Sequence, residues 1–397
     1  VTRRLYAIVD GSADLLDVVE GPLPRAIEQA REIAGPDRQV RLDDVPAEDE
    51  DEEEADEPPA LAANAPPLEE QPFEAARRSR LPRVSLPDVM ELSLDEAHAE
   101  LRPYFPDAAV YDRPGSMARA LLGTNYKMDK PPRIDAPRRG LVRRRTKPVH
   151  VMGLSLLPHR LTLRQLGMRG TFCYRSVREC RATCLVNSGR NTQGLYLLAI
   201  KRARSEALLR APVAFMRMMV DAVERAVEAA RASGEVPMFR MNVYSDIPWE
   251  LVFPDLFYAV PGAVFYDYTK VPARRPPENY DLTFSYSGRN MEDVVYELGR
   301  GSRLAVVFMT RKHELPATFM GLPVIDGDVH DIRPYDPPHV VVGLSYKNVA
   351  GLKRETAETK YSVFVVPVEE IDGELVAAET PRHAGALGFE ESETRDE

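Results

Sequence analysis

The chain has 397 residues, 44% of them hydrophobic, and a formal net charge of -10, enough for one large domain with appendages or for two domains. No stretch offers the ~18 or more apolar residues of a membrane-spanning helix, so no membrane partner is expected. Three cysteines are too few, and odd in number, for a disulfide framework. The first residues lead into strand-like alternation through Leu5, Ala7 and Val9, with no leader pattern, so the cytoplasm is the expected compartment.

The acidity is local. Residues 43–57 hold eleven carboxylates and no base, the composition of a self-repelling, disordered linker. Residues 1–42 before it read as a small α/β appendage, with strands at 4–9 and 39–42 and a helix at 23–34. The acidic linker is expected to run through the Pro- and Ala-rich sequence to residue 71. Residues 72–148 read as a helical and irregular basic connector, with helices near 94–101 and 116–122. Its end, residues 133–147, carries seven basic residues against the single acid Asp135. Such a run is either a solvated connector or a phosphate-contacting arm, and nucleotide or nucleic acid is the partner it would suit.

From Val149 the pattern becomes alternating strands and helices up to residue 349, followed by a C-terminal extension, 350–397, with an acidic tail expected to be disordered. Strands are predicted at 149–156, 236–243, 263–268, 281–285, 303–309 and 340–345, and helices at 192–210, 212–232 and 291–298. The second helix keeps i, i+3, i+4 spacing through Phe215, Met218, Met219, Ala222, Val223, Ala226, Val227 and Ala230. Pro212 suits its first turn and Gly234 its end. Strands separated by helices favour parallel pairing. Polar residues gather where the strands end, as at Tyr244-Ser245-Asp246, Thr269-Lys270 and Ser285, which is what the mouth of a (β/α) barrel requires. Six or seven strands fit a partial barrel.

All three cysteines lie within twelve residues, as Cys173, Cys180 and Cys184, spaced C-x6-C-x3-C. Three thiolates on one loop can hold a [4Fe–4S] cluster and leave one iron open. With a histidine such as His159 they can instead make a tetrahedral zinc site, or they can be inert core residues. The flanking Arg175, Arg178, Glu179 and Arg181 make the loop too polar for a plain core segment. A second constellation, Asp326, Asp328 and His330, has the residue types of a divalent-metal site, and a metal-dependent hydrolase centred there is one alternative. The Asp326-Gly327 pair reads more simply as a turn. Asp246 and Glu250 are candidates for acid–base work, Asn242, Lys270, Ser285, Asp328 and His330 for contact with a cofactor or substrate, and Trp249 for a core anchor.

Several runs resemble a family of phage and prophage proteins: Leu121-Leu-Gly-Thr-Asn-Tyr-Lys127, Gly153-Leu-Ser-Leu-Leu-Pro158, Cys184-Leu-Val-Asn-Ser-Gly-Arg190, Asn242-Val-Tyr-Ser-Asp-Ile-Pro-Trp-Glu250, Phe265-Tyr-Asp-Tyr-Thr-Lys270, Asn279-Tyr-Asp-Leu-Thr-Phe-Ser285 and Val324-Ile-Asp-Gly-Asp-Val-His-Asp331. The resemblance spans residues 121–347, and a phage-encoded chain would work in the host cytoplasm. That family is distantly similar to radical S-adenosylmethionine enzymes, which implies a partial (β/α) barrel, Cys173, Cys180 and Cys184 as cluster ligands, and S-adenosylmethionine as a co-substrate. The expected function is thus an iron–sulfur enzyme acting on a nucleotide or nucleic-acid-related substrate. The alternative is a nucleic-acid-associated protein with structural zinc. Two features depart from the radical S-adenosylmethionine pattern. The usual C-x3-C-x2-C spacing is absent, and Tyr244-Ser245-Asp246 stands where a glycine-rich element would follow the second strand.

Overall fold

The computed structural model describes residues 2–9, 12–20, 39–44, 67–123, 149–159, 163–164, 166–188, 195–349, 352 and 363–378. The chain divides into two compact units, Val1–Ala65 and Pro66–Glu397. The predicted helix at 23–34, almost all of the acidic linker, the basic run 133–147 and the acidic tail lie outside the described residues.

The first unit is a three-stranded antiparallel sheet of β1 (Thr2–Val9), β2 (Ser12–Glu20) and β3 (Gln39–Asp44), with β1 in the centre. Both expected strands are present. The unexpected β2 is announced by Asp10-Gly11, the kind of dipeptide that favours a two-residue hairpin connection. At the borders of the expected linker, β3 continues to Asp44 and a 3-10 turn opens at Leu68.

The second unit opens with four helices, α1 (Gln71–Ser79), α2 (Leu86–Glu91), α3 (Leu94–Leu101) and α4 (Pro114–Leu121). Local chemistry sets their starts. Ser85 accepts from the Asp88 N–H at 3.3 Å, and Ser93 with Glu96 forms a reciprocal capping box before α3. Strands β4 (Leu122–Gly123) and β5 (Val149–Leu154) follow, then α5 (Arg178–Ala182), α6 (Leu195–Arg210), α7 (Pro212–Ser233) and β6 (Val236–Arg240). Next come α8 (Trp249–Val252), α9 (Leu256–Ala259), β7 (Val264–Thr269), β8 (Tyr280–Ser285), α10 (Met291–Gly299) and β9 (Arg303–Met309). The last strands are β10 (Thr318–Phe319), β11 (Leu322–Asp326), β12 (Val341–Ser345), β13 (Val365–Ile371) and β14 (Glu374–Ala377).

These strands make one mixed, mostly parallel sheet whose main path runs β10-β11-β12-β9-β8-β7-β6-β5-β4. The pairs from β5 through β6, β7, β8 and β9 to β12 and β11 are all parallel, and β13 joins β9 in parallel as well. From β5 to β9 and on to β12 the spatial order follows chain order, so the connections open at one edge of the sheet and the loops after the strands gather there.

Helix α7 is the backbone of the larger core. Pro212 starts it, and Gly234 ends it in a left-handed conformation with φ 72°, its N–H returning to Ala230 and Arg231. Its face of Phe215, Met218, Met219, Ala222, Val223, Ala226 and Val227 is buried in one core with Val89, Ala97, Leu101, Met117 and Leu121 of α2, α3 and α4 and with Phe239 and Phe265 of the sheet. Residues 71–121 are therefore one wall of this core. The other face of the sheet carries Val149, Val151, Met238 and Tyr266, packed against Ile332. A buried polar layer lies beside them. Arg240 donates to Asp331 at 2.5 Å, Tyr268 donates to the same carboxylate at 3.1 Å, and the wholly buried Arg333 pairs with Asp336 at 3.0 Å.

One glycine ties the carboxyl end of β8 to the C-terminal strands. Gly288 has φ +74°, and a Cβ there would overlap the carbonyl of Val363, whereas Gly234, at φ +72°, has open space around it. Gly234→Ala should lose only the ~1–2 kcal/mol of a left-handed L-residue. Gly288→Ala should lose several times that, because backbone must move as well. Urea unfolding midpoints of the two variants against wild type will show it, and equal losses would contradict the packing described.

Candidate functional site

The cysteine loop is laid across the carboxyl ends of the parallel strands by backbone and charge. The Phe172 carbonyl accepts from the Asp246 N–H at 2.6 Å, and the Thr171 N–H donates to the Arg78 carbonyl at 3.0 Å. The Cys173 thiol donates to the carbonyl of Tyr244, just beyond β6, at 3.4 Å. Cys180 rides on the short helix α5, and Cys184 caps the 3-10 turn that follows it. Two ion pairs then pin the loop to the end of β8 and the start of α10. Buried Glu179 accepts from Arg289 at 3.0 and 2.6 Å, and Arg175 pairs with Asp293. Burial raises the Glu179 pKa, but Arg289 outweighs it and holds the carboxylate below its ordinary value.

The three thiols share one electrostatic neighbourhood. Burial pushes the Cys173 thiol well up, and Asp246, Cys184 and Cys180 add to that push. Cys184 is pushed up to about 11, by burial and then by Cys180. Two lysines face them. Burial opposes the charge of Lys270, the first residue past β7, but Cys180, Asp246 and Cys173 hold its pKa above the ordinary lysine value. Lys201 of α6 lies 4.7 Å above the Tyr244 ring and is brought down to about 8, chiefly by burial and then by Arg204, with Cys184 opposing. Aromatic residues close the apolar side, where Cys180 packs with Met309, Tyr346 and Phe364, and Lys270 stands 5.6 Å from the Phe364 ring.

Asp246 builds this arrangement. Its carboxylate accepts from Thr269 Oγ1 and from the Lys270 N–H, each at 2.7 Å, and lies 3.6 Å from Arg274. It thereby binds the turn after β6 to the end of β7, and burial raises its pKa against the pull of Arg274. Asn242 holds the same turn from below. Its Oδ1 accepts from Ser245 Oγ at 2.8 Å, the Ile247 N–H at 2.9 Å and Trp249 Nε1 at 3.2 Å. Glu250 receives Arg274 at 2.8 and 2.6 Å, a pair whose side chains are almost fully buried. Trp249 is wholly buried, a core anchor.

The second constellation does not converge. Asp326 accepts from the Asp328 N–H at 2.9 Å and pairs with His313 at 2.5 Å. Buried Asp328 accepts from the Ser345 N–H at 2.9 Å, and Lys347 stands 3.9 Å away. His330 accepts from the Ile332 N–H at 3.2 Å, and burial lowers it to about 4. Asp326-Gly327 forms a turn, but between β11 and a parallel β12, so it makes no hairpin. Ser285 is buried at the end of β8, where its carbonyl accepts from Asn290 at 3.0 Å. Among the described residues no group of three or more His, Cys, Asp or Glu is placed to hold a metal ion.

Sequence reasoning overlooked Lys201, Arg274 and Asp267. Lys201 had no local signal, being one polar residue among several on its helix. Asp267 did have one, as the lone acid inside the apolar strand Val264–Thr269. It is wholly buried and accepts from the Asn242 N–H at 2.7 Å and Tyr280 OH at 2.8 Å.

The molecule is thus an α/β protein with a cysteine- and lysine-rich centre at the carboxyl edge of a largely parallel sheet. A family model described as gene product 88 (GP88) matches residues 137–361, more than half of the chain, and the chain belongs to that phage-type family. No curated protein and no solved structure matches it. Among the described residues no helix is long and apolar enough to cross a membrane.

The buried layer beneath the site should be visible in acid. Burial pushes Asp267 up to about 7, against the hydrogen bonds of Tyr280 and Asn242. The folded chain then holds this proton more tightly than the unfolded chain, whose aspartates titrate near ~3.9. The stabilisation is complete below about pH 4 and is lost as pH rises to about 7. Asp267→Asn mimics the protonated form, so the thermal midpoint of wild type relative to the variant should fall across that window. A difference independent of pH would contradict the assignment.

Proposed function

We propose that this chain is an iron–sulfur enzyme in which Cys173, Cys180 and Cys184 hold a [4Fe–4S] cluster and S-adenosylmethionine is the co-substrate. The observation that supports the reading is the placing of three cysteines of one loop beside the turn after β6: the Cys173 thiol donates to the Tyr244 carbonyl at 3.4 Å, Cys180 rides on α5, and Cys184 caps the turn that follows. When bound, a cluster with three protein ligands supplies an open iron that can take a small co-substrate and pass it an electron.

The strand order supports the finer fold assignment. Six parallel strands, β5 to β9 and then β12, keep their chain order in space, with β11 out of order beyond β12. A partial (β/α) barrel with the cysteine loop after its first strand is the reading we favour for this order. In that setting Asp246 fixes the Lys270 backbone, while Asn242, Glu250 and Arg274 hold the turn rigid. Tyr346 and Phe364 pack beside the partly buried Cys180. The substrate class we favour is a nucleotide or nucleic acid, on the charge of residues 133–147, most of which fall inside the family match.

Protein purified without oxygen and reconstituted with iron and sulfide should be brown, with about four irons and four sulfides per chain. Replacing any one of the three cysteines by serine should abolish most of that content while Asp328→Asn leaves it intact. Colourless protein carrying stoichiometric zinc would overturn the reading.

A further inference from the structure

We propose that the face of the sheet carrying Tyr266 holds a phosphate site, and that the Asp331 carboxylate fills part of it in the free chain as an internal substitute for the ligand. The inference is independent of the cluster reading and of residues 133–147.

Two strands and one connection build the site. The register of β6 and β7 sets Phe239 beside Phe265, which brings Arg240 and Tyr266 together one residue further on and on the other face. Tyr268 lies two residues along the same strand, and the Arg240 guanidinium stands 4.7 Å over its ring. The connection from β11 to β12 lies on this face. Its Ile332 and Tyr335 pack with Tyr266, and the 3-10 turn Arg333–Tyr335 touches β7 and β8. The same connection brings in Asp331, whose carboxylate accepts from Arg240 at 2.5 Å and from Tyr268 at 3.1 Å. It also brings in Arg333, which donates to the His330 carbonyl and lies 3.0 Å from Asp336, and the Asp336 carbonyl accepts from Arg303 at 3.0 Å.

Donors outnumber the oxygens offered to them. Arg240 Nε, Arg333 Nε and the Tyr266 hydroxyl are buried with no hydrogen-bond partner, and Tyr266 and Arg333 are wholly buried as residues. An unpaired buried donor costs stability, and phenylalanine in place of Tyr266 would avoid that cost at the same packing volume. A carboxylate has two oxygens, and here one accepts from Arg240 and the other from Tyr268. Three spare donors beside it fit an anion with more oxygens, and a tetrahedral phosphate group supplies them. Arginine, with its fork of N–H groups, is the side chain suited to that geometry. Ligand and Asp331 compete for Arg240, so binding requires the connection to draw Asp331 away, and the free chain holds the site closed.

The test titrates inorganic phosphate calorimetrically into the full chain as wild type, Asp331→Asn and Asp331→Asn/Tyr266→Phe, with acetate as the carboxylate control. Asp331→Asn removes the internal anion and should tighten phosphate binding by about tenfold or more. Adding Tyr266→Phe should undo most of that gain, and acetate should remain the weaker ligand throughout. Should Asp331→Asn fail to fold, wild type against Tyr266→Phe carries the comparison through thermal midpoints. Tyr266→Phe should then match or exceed wild type without phosphate and lose the rise that phosphate gives wild type. Phosphate affinity unchanged by Asp331→Asn, or tightened equally with and without the Tyr266 hydroxyl, overturns the proposal. So does acetate bound as tightly as phosphate, or an equal rise in midpoint for wild type and Tyr266→Phe.

Discussion

The arrangement depends on one buried aspartate joining three pieces of chain. The Asp246 backbone N–H holds the cysteine loop at Phe172, and its side chain holds the end of β7 at Thr269 and Lys270. A single residue after β6 thus sets the distance between the loop after β5 and the end of β7. The outer flank of the loop is closed by two ion pairs of arginine with carboxylate, Arg289 with Glu179 and Arg175 with Asp293. Glu179 and Asp293 are largely buried, and removing one partner from such a pair leaves an uncompensated charge. The loop is held from both sides.

Beneath the site, strand-borne polar groups are paired within the protein. Asn242, Asp267, Tyr280, Arg274, Glu250 and Asp246 form a continuous chain of hydrogen bonds and ion pairs on one side of the sheet. On the other side Arg240, Tyr268, Asp331 and Arg333 form a second polar layer. Such networks are costly when incomplete and rigid when satisfied. They account for strongly polar residues inside otherwise apolar strands, while Arg240 Nε and Arg274 Nη1 are buried with no hydrogen bond.

What could be read from the chain alone followed the range of the interactions. The strands at 149, 236, 264, 281, 303 and 341 and helices α6, α7 and α10 are periodic over their own length, and they lie where the pattern places them, with ends displaced by a few residues. Strand β11 escaped because Pro323 interrupts it, and β13 because of Pro367; both prolines are of the kind tolerated where a strand's N–H is not needed. The three cysteines were legible because they share one loop. The contribution of Lys270 to that loop was only half visible, since its partner Asp246 is 24 positions away in sequence. Arg274, Asp267 and Lys201 were not visible as site residues, because their roles come from burial and from neighbours on other elements. The Asp326–His330 stretch shows the converse, a persuasive local pattern whose side chains go to separate partners.

The central claim is that the three cysteines act as one centre, and differential alkylation read by mass spectrometry tests it most directly. The protein is treated with iodoacetamide under denaturing quench, before and after anaerobic reconstitution with iron and sulfide, and modification is quantified at each cysteine. The account predicts that Cys173, Cys180 and Cys184 become protected together, and that serine at any one of them exposes the other two. Independent protection of each, or protection of one unaffected by loss of the others, would contradict it.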